Sequence, residues 1–521
     1  MNSQLNNIKI AIQNKNFHHA ENLCWELYKN NSKDYELLKL LALSLLLQNK
    51  TYGAIEKYQQ LYDMNQKDLD VSNNLSHLYL SIEEFEKAEG LIQTSINNYP
   101  ESYYPYLNQG ELYFRKRDFI NAKKSMEKVI ELVNDIQKHA NILHFVQLYG
   151  DILLALNLKE EAFNFVKNCF EINQDTTIFY YLMNLDKDFY SREKIDKYVD
   201  SKLKINFTSE SQRFQILAPM YFGLGRYSEK TNPPLSESCY IKANELSSLV
   251  QRFRPLDHQK HIKKIKTLHQ DYLKMKKTRN NLDGDGLIFI IGMPRSGTTL
   301  VESIIGVDKN VFSGGEMISI PEILKKYYDN SNKSDTPPTL DAIAETYIQR
   351  TNFLKGNKHF FIDKLPANFY HTGLILLAMP KAKIIHIERD PWDVAISLFK
   401  QLYISNIPFA SKFFNIACTI ANYEHLMDYW KSKISDKSML SVKYEDLVKN
   451  EIVEAKKIID FIGVKGSYNS SSRKNFFSRT ASKIQIKSDV HQKSLKKQDF
   501  TVHQADFFRD LEAQRKFWDF N

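Results

Sequence analysis

One small residue recurs at a fixed spacing through the first third of the chain. Ala20, Ala54, Ala88 and Ala122 follow one another at intervals of 34 residues, and Ala162 follows after 40. A period of roughly 20–50 residues is typical of small structural units that stack in a row. Because one such unit cannot bury its apolar face alone, the pattern predicts a helical solenoid of about five units.

Other positions keep the same register. Gly110 and Gly150 lie 12 residues before their alanines, and Phe85 and Phe119 lie 3 residues before theirs. A small residue where two helices cross, with an aromatic ring filling the gap, resembles the tetratricopeptide repeat. The resemblance implies an all-α repeat array over residues 1–175, with a concave surface on which a peptide or protein partner binds.

The next segment stays helical but loses the period. We interpret residues 176–282 as a helical extension with one degenerate repeat around Ala243, ending in the linker "NNLDGDG". Its basic stretch "HQKHIKKIKTLHQDYLKMKK" is typical of a solvated helix, and contact with a nucleic acid or a membrane is the alternative. We predict that the protein binds neither a nucleic acid nor a membrane.

Beyond the linker the pattern changes to short β-rich runs that alternate with helical segments, which indicates an α/β domain over residues 283–521. The runs are apolar on both faces, as expected of buried parallel strands. They cover residues 287–292, 359–363, 382–388 and 439–444. The predicted fold is therefore multidomain, an all-α repeat solenoid followed by a P-loop-like α/β domain with a parallel central sheet.

Composition narrows the function only in part. The formal charge of +9, from 71 basic and 62 acidic residues, is compatible with an anionic ligand without requiring a nucleic acid. The four cysteines form no CxxC pair, which favours neither a disulfide framework nor a zinc site and fits a reducing compartment. The N-terminus lacks the apolar segment of a signal peptide, so we predict a cytoplasmic protein.

The segment "GMPRSGTT" carries the most specific chemical signal. Gly292 and Gly297 have the spacing of the two P-loop glycines, and such a loop presents backbone N–H groups and a helix N-terminus to a phosphate. Thr298 stands where a nucleotide triphosphatase has lysine, and Arg295 supplies a basic residue earlier. The loop is therefore predicted to hold a phosphate but to be poorly suited to triphosphate hydrolysis. For the loop itself, the alternative is a glycine turn between a strand and a helix that binds no ligand. Asp363, at the end of "FFID", is a candidate carboxylate for Mg²⁺.

"PRSGTTL" resembles the 5'-phosphosulfate loop of sulfotransferases that use 3'-phosphoadenosine 5'-phosphosulfate (PAPS). The nearest likeness is to the branch with the tyrosylprotein enzymes and the bacterial tetratricopeptide-repeat enzymes. The resemblance covers about residues 287–500 and, with the repeats, extends to the whole chain. It implies that the 5'-phosphosulfate is bound by the residues Arg295, Ser296, Gly297, Thr298 and Thr299.

A second matching segment is "IIHIERDPWDVAISLFKQ". There the resemblance implies that Arg389 and Ser397 hold the 3'-phosphate, a task suited to a planar bidentate donor and a hydroxyl. Gln401, next to Lys400, stands where many members have a further basic residue. The alternative is that Arg389 only caps a strand end.

Two further segments match the catalytic positions. Glu316 lies 21 residues after Arg295, the separation of the catalytic glutamate in the tyrosylprotein enzymes, and would remove the proton of an acceptor hydroxyl. Lys364, after "FFID", matches a lysine that stabilises charge on the bridging oxygen during transfer. A helix N-terminal acid and a surface lysine are the respective alternatives.

The last matches lie toward the C-terminus. Tyr444 in "VKYEDL" corresponds to a tyrosine that contacts the cofactor, and Ser482 to a serine near the transferred sulfate. Lys497, or its neighbour Lys496, corresponds to a phosphate-binding lysine. A lysine-rich surface loop is the alternative for this segment.

These positions together predict a sulfotransferase that passes the sulfuryl group of PAPS in line to an acceptor hydroxyl and releases 3'-phosphoadenosine 5'-phosphate (PAP). Glu316 would be the base, and Lys364, Arg295 and Ser482 would stabilise the transition state without a metal. The alternatives are a repeat scaffold with an inactive nucleotide-binding domain, and a P-loop kinase or nucleotide triphosphatase.

The sequence says less about the acceptor. In the tyrosylprotein enzymes an arginine two residues after the glutamate recognises acidic peptides, and here that residue is Ile318. A protein or peptide recognised differently, a saccharide and a small metabolite all stay open. A homo-oligomer, formed through the repeats, is a further alternative to substrate binding by the array.

Overall fold

The computed structural model describes residues 2–133, 142–186, 190–275, 282–328, 338–403, 407–465, 470–473, 476–478 and 500–519. The chain divides into two compact units, Met1–Ile136 and Gln137–Asn521. In the part of the chain described, no helix is both long enough and apolar enough to span a bilayer.

The described residues of the first unit form eight α-helices, each packed against the next along the chain. The helices are α1 Asn2–Gln13, α2 Phe17–Tyr28, α3 Tyr35–Leu47, α4 Thr51–Met64, α5 Leu69–Ser81, α6 Phe85–Asn98, α7 Tyr103–Arg115 and α8 Phe119–Leu132. Asp34 and Asp68, one period apart, begin α3 and α5 as N-caps, because their side chains accept hydrogen bonds from Leu37 N and Val71 N.

The recurring alanines are all buried among packed helices, four of them in the first unit and Ala162 in the second. Ala20, Ala54, Ala88, Ala122 and Ala162 are each 0% exposed, at the positions where a larger side chain would separate the helices. The predicted helical array is therefore confirmed.

The turns before these helices repeat in backbone conformation although their residues differ. Lys15, Asn49, Glu83, Arg117 and Asn157 all have left-handed backbones, with φ between 57 and 64°. Their spacing is the same 34, 34, 34 and 40 as that of the alanines. Since such a conformation is unfavourable for non-glycine residues, the packing of each helix pair determines the turn.

The second unit contains a helical part followed by an α/β part. Its described helices are α9 Ile142–Ala155, α10 Lys159–Asn173, α11 Thr176–Leu185, α12 Arg192–Leu203, α13 Glu210–Ser228, α14 Pro233–Val250, α15 Pro255–Tyr272, α16 Thr298–Ile305, α17 Ser319–Tyr328, α18 Leu340–Lys355, α19 Thr372–Ala378, α20 Pro391–Phe399, α21 Phe413–Lys431, α22 Tyr444–Lys449, α23 Glu451–Ile462, α24 Ser470–Arg473 and α25 Thr501–Asp519. Short 3₁₀ helices cover Pro366–His371 and Pro408–Ser411. The predicted domain boundaries at residues 175 and 282 stay predictions.

A single parallel sheet organises the α/β part. Its strands are β1 Leu287–Gly292, β2 Val311–Ser313, β3 Phe360–Asp363, β4 Lys383–Glu388 and β5 Met439–Lys443, in the order β2-β3-β1-β4-β5. The four predicted strands are confirmed, and β2 was not predicted, because a run of three residues shows no periodicity.

The expectation that all predicted strands are apolar on both faces is wrong for β5. Ser441 and Lys443 of this edge strand are exposed, whereas Val442 is buried. An edge strand has a partner on one side only, so part of it can face water.

The helix after the glycine loop is fixed to the sheet by apolar contacts. Ile288 and Ile290 of β1 form one buried cluster with Val301 and Ile304 of α16 and Ile458 of α23. The loop between β1 and α16 is therefore held at both ends by rigid, buried elements.

Candidate active site

The glycine loop connects β1 to α16 at the edge of the sheet where the parallel strands end. Gly297 has φ of 108° and Arg295 has φ of 72°, so two loop residues adopt left-handed backbones. A Cβ atom at Gly297 would lie 2.3 Å from Cδ2 of Tyr444, which leaves room only for glycine. A loop of this shape, followed by a helix N-terminus, forms a concave surface of N–H donors for an anion.

The loop lies at the position where the sheet reverses its strand order. From β1 the chain continues to β2 on one side, whereas from β4 it continues to β5 on the other. Gly292 pairs with Ile387, so the ends of β1 and β4 are adjacent. In open parallel sheets, ligands bind in the crevice at this switch point.

Four predicted cofactor-binding residues come together in this crevice. Nε of Arg295 donates to Oγ of Ser397 at 3.0 Å, and Nη1 of Arg389 donates to the carbonyl oxygen of Arg295 at 3.0 Å. The guanidinium carbon of Arg389 lies 4.2 Å from the centroid of the Tyr444 ring. Burial lowers the pKa of Arg295 from its ordinary value, although a guanidinium stays charged in proteins.

Polar atoms without a partner also line the crevice. Oγ of Ser296 and Nε of Arg389 are buried and make no hydrogen bond with the described residues. Such atoms are costly to bury unpaired and often mark a ligand site. The hydroxyl of Tyr403 is in the same condition. Thr298 and Thr299, both buried, form the first turn of α16.

Glu316 and Lys364 form a close ion pair. Lys364 follows β3 and its side chain is 0% exposed, and its Nζ lies 2.8 Å from Oε1 of Glu316. The side chain of Glu316 is 45% exposed, so a ligand from solvent can reach it. Gly315, with φ of 70°, accepts a backbone hydrogen bond from Lys364 N and fixes the turn before Glu316. The structure brings the two residues together, and their chemical roles stay predictions.

Sequence reasoning missed a third member of this cluster. Glu302, on α16, is 0% exposed, and its carboxylate accepts hydrogen bonds from Oγ of Ser313 and Oγ of Ser478. Its Oε2 lies 3.8 Å from Nζ of Lys364. The signal that could have found it is a glutamate inside the apolar helix "TTLVESII".

Asp363, the candidate magnesium ligand, is already engaged. Tyr347 donates its hydroxyl to Oδ2 at 2.8 Å, and Leu365 N donates to Oδ1 at 3.1 Å. Within the described ranges, no three His, Cys, Asp or Glu side chains gather as metal ligands.

The segment after Ser397 is held by the helical part of the same unit. Gln401 Nε2 donates to the hydroxyl of Tyr180 on α11 at 2.6 Å. Lys400 forms an ion pair of 2.7 Å with Glu229. Both side chains are therefore bound by residues of the helical part. Burial raises the pKa of Glu229, but Lys400 and Arg226 outweigh it, and the pKa lies below its ordinary value.

Two more bonds complete this contact. Asn244 and Gln251 donate to the carbonyl oxygens of Phe399 and Tyr403, at 2.7 and 2.8 Å. We call Tyr180, Glu229, Asn244 and Gln251 the helical clamp. Because it holds the chain directly after α20, it helps to fix the position of Ser397.

A cavity of about 750 Å³ opens beside Arg389, between the ends of β4 and β5, α21 and α25. Tyr423 and Trp518 are among its lining residues, whereas Glu316 and Lys364 are not. The cavity therefore adjoins the arginine end of the crevice and not the Glu316–Lys364 pair.

Three predicted site residues, Ser482, Lys496 and Lys497, lie outside the described residues. The structure does not test their placement.

Comparison with known proteins agrees with this geometry. Residues 288–468 match the profile of the Sulfotransferase family, and residues 103–134 match a tetratricopeptide repeat. The chain therefore combines tetratricopeptide repeats with a C-terminal domain of the sulfotransferase family.

This chain matches only part of the length of its relatives. An uncharacterized protein from Aquifex aeolicus is 29% identical over 238 residues, which are 42% of this chain and 31% of the relative. Flavonol 3-sulfotransferase from Flaveria bidentis is 22% identical over 34% of this chain and 56% of its own. The chain thus spans about a third to a little over half of these relatives.

A solved structure similar to this chain is the sulfotransferase domain of the Synechococcus olefin synthase. It is 18% identical, covers 46% of this chain and 98% of its own, and has a TM-score of 0.32.

Proposed function

We propose that the α/β part transfers the sulfuryl group of PAPS to an acceptor hydroxyl. The observation that carries the proposal is that a phosphate crevice and an exposed glutamate paired with a buried lysine follow the carboxyl ends of strands of one sheet. This sheet lies within a region that matches the sulfotransferase family.

The crevice suits the two phosphates of the donor. Arg295, Ser296 and the N-terminus of α16 would hold the 5'-phosphosulfate, and Arg389 with Ser397 would hold the 3'-phosphate. The buried and unpaired atoms Ser296 Oγ and Arg389 Nε support this assignment, because an anion would supply the acceptors that they lack. PAPS supplies an activated sulfuryl group, so the protein has mainly to position it and stabilise charge.

The Glu316–Lys364 pair suits the transfer itself. Glu316 would accept the proton of the acceptor hydroxyl, which its exposure allows. Lys364 would face the oxygen on which negative charge develops, where a buried ammonium is most effective. Arg295 would add positive charge, and Ser482 is proposed as a further donor.

The acceptor is proposed only as a class. The half-buried Ile318 brings no positive charge two residues after Glu316, which favours an acceptor other than tyrosine in an acidic peptide. The repeats favour a protein or peptide substrate or partner. Saccharide and small-metabolite hydroxyls, a homo-oligomer and the cytoplasmic location stay predictions.

The test is calorimetric binding of PAP without added metal, to wild type and to the Arg295→Ala and Arg389→Ala variants. The exposed Arg192, paired with Asp196 away from the crevice, supplies the matched control Arg192→Ala. Loss of a charged hydrogen bond of this kind should weaken binding about 10–100-fold in each crevice variant and leave the control unchanged.

ATP with Mg²⁺ serves as the competitor. Preference for ATP with Mg²⁺ would favour the kinase or nucleotide triphosphatase alternative, against which Thr298 in the lysine position and the engaged Asp363 already weigh. PAP binding without any transfer of the sulfuryl group from PAPS, to 4-nitrophenol or to water, would favour the scaffold with an inactive domain.

A further inference from the structure

Glu302 is a buried carboxylate that has no role in the reaction proposed above. It lies on the helix that begins at the phosphate loop, and both it and the side chain of Lys364 are 0% exposed. A carboxylate is costly to remove from water unless charges and hydrogen bonds compensate it.

The compensation is complete and specific. Oγ of Ser313 and Oγ of Ser478 each donate to one carboxylate oxygen, the latter at 2.6 Å, and Lys364 Nζ lies 3.8 Å from Oε2. Glu302 is therefore anchored from three directions, by β2, by the segment around residue 478 and by the lysine after β3.

Lys364 thus lies between two carboxylates that differ in exposure. Glu316 is the nearer one, at 2.8 Å, and its side chain is 45% exposed, whereas Glu302 is sealed from solvent. Only Glu316 can meet an acceptor. Glu302 can neither reach a substrate nor exchange a proton with water directly.

We infer that Glu302 is the positioning residue of Lys364, the counter-ion that stays charged while Glu316 is neutralised. This inference rests on the proposed function. As the acceptor oxygen bonds to sulfur, the bond from sulfur to the 5'-phosphate oxygen breaks, and its electron pair leaves on that oxygen. The acceptor proton passes to Glu316.

At that moment Lys364 loses its nearest counter-charge and must face the leaving oxygen. The group of three carries one net negative charge before the proton transfer and none after it. Glu302 then holds the ammonium in place and compensates its charge inside the protein, where solvent cannot. Serine hydroxyls on both carboxylate oxygens keep Glu302 from turning toward the lysine or away from it.

The test uses the full chain and measures formation of PAP from PAPS. One acceptor is 4-nitrophenol, which becomes 4-nitrophenyl sulfate, and the second is water, which yields free sulfate. In Glu302→Gln we expect PAP affinity and the KM for 4-nitrophenol to stay within about twofold, while kcat falls about 10–100-fold. In the Lys364→Met background the same substitution should lower kcat no further, because a residue that acts through Lys364 has nothing left to act on.

Two control variants separate charge from folding. Glu111 of the first unit pairs with Arg115 at 3.5 Å and its side chain is only 9% exposed, so Glu111→Gln removes a comparable carboxylate outside the second unit and should leave kcat unchanged. Ser313→Ala keeps the charge of Glu302 and removes one anchor, so it should lower kcat only about threefold to tenfold. If Glu302→Gln does not fold, the kcat of Ser313→Ala still tests whether Glu302 acts on the reaction.

The outcomes are distinct. Additive losses in Glu302→Gln and Lys364→Met, a loss in PAP affinity that parallels the loss in kcat, or unchanged kcat in both Glu302→Gln and Ser313→Ala would overturn the role of Glu302 alone. A wild-type protein that binds no PAP, or that forms no PAP from PAPS with either acceptor, would overturn the proposed function, and the inference with it.

Discussion

The described hydrogen bonds between helices of the first unit join residues no more than about one repeat apart, whereas those that build the candidate site join more distant parts of the chain. Tyr35 donates to Asp68, 33 positions away, and Asn108 donates to Ser76, 32 positions away. In the second unit, Lys364 reaches Glu316 across 48 positions and Ser478 reaches Glu302 across 176.

This difference has an energetic consequence. A solenoid is stabilised by contacts between neighbouring repeats, so a local defect stays local. The site depends on elements that meet only when the whole sheet has formed, so a defect in any of them reaches the chemistry. Substitutions in the two units should therefore differ in how strongly they affect the chemistry.

The largest expected effect is on turnover. Glu316→Gln removes the proposed base, and kcat should fall about 10²–10⁴-fold with PAP affinity nearly unchanged. The matched control is Glu21→Gln in the array, where a mostly buried glutamate pairs with Lys50. Steady-state kinetics of PAP formation from PAPS measure both, and an equal loss in the control would contradict the contrast between the units.

The next effect is on donor binding. In Gly297→Ala the new Cβ would meet the Tyr444 ring in a left-handed backbone, which costs on the order of 1–3 kcal/mol. The loop must shift to relieve the contact, so PAP should bind at least about tenfold more weakly by calorimetry. Unchanged affinity would mean that the loop does not hold the donor.

Acid should weaken the second unit through its buried histidines. Burial lowers the pKa of His258 and His386 to about 4 and that of His371 to about 3, below the ordinary 6.5. The unfolded chain therefore binds protons first as the pH falls. The stabilisation that comes from keeping these histidines neutral is fully present above pH 6.5 and is lost as the pH falls toward 4. The free energy of unfolding should then drop by about 2–3 kcal/mol for His386 alone.

Tryptophan fluorescence can follow this loss, because three of the four tryptophans, Trp392, Trp430 and Trp518, lie in the second unit. A Trp25→Phe variant removes the signal of the first unit. The urea midpoint by fluorescence should fall between pH 6.5 and 4, and His386→Gln should fall less steeply than wild type. Equal pH dependence in both proteins would contradict the assignment to His386.

The smallest effect belongs to the array. Gly90 is in the interior of α6, and a Cβ atom added there would have no described atom of another residue within 4 Å beyond its own helix turn, so Gly90→Ala should stabilise the protein by about 0.5–1 kcal/mol. Urea denaturation followed by circular dichroism measures the gain, and kcat should not change. A loss of stability would show that this helix has a neighbour near Gly90.

The helical array could be predicted from the regular spacing of its small residues. Ala88 and Ala122 predict where helices cross because each repeat meets its neighbour in the same way, and both are fully buried. Four strands were also predictable, since a buried apolar run such as 287–292 is visible in the sequence itself. Arg295, Ser397 and Arg389, which the motifs singled out, lie in contact, and their role in binding a cofactor stays a prediction.

Other features had no local signal. The three residues of β2 join the sheet only because β3 is beside them, and Glu302 lies opposite Lys364 only after α16 and β3 have packed. The left-handed turns escaped notice because Glu83 and Arg117 give no hint of that conformation. For Gln401, the sequence offered no reason to expect Tyr180, 221 positions away.

The helical clamp bears on how such a chain could be recombined. The linker "NNLDGDG" looks like a natural seam, yet Tyr180, Glu229 and Gln251, all before it, hold the segment that follows Ser397. A fusion that joined the α/β part to a foreign array at the linker would leave Gln401 and Lys400 without these partners. The smallest portable module that keeps these contacts therefore begins before α11.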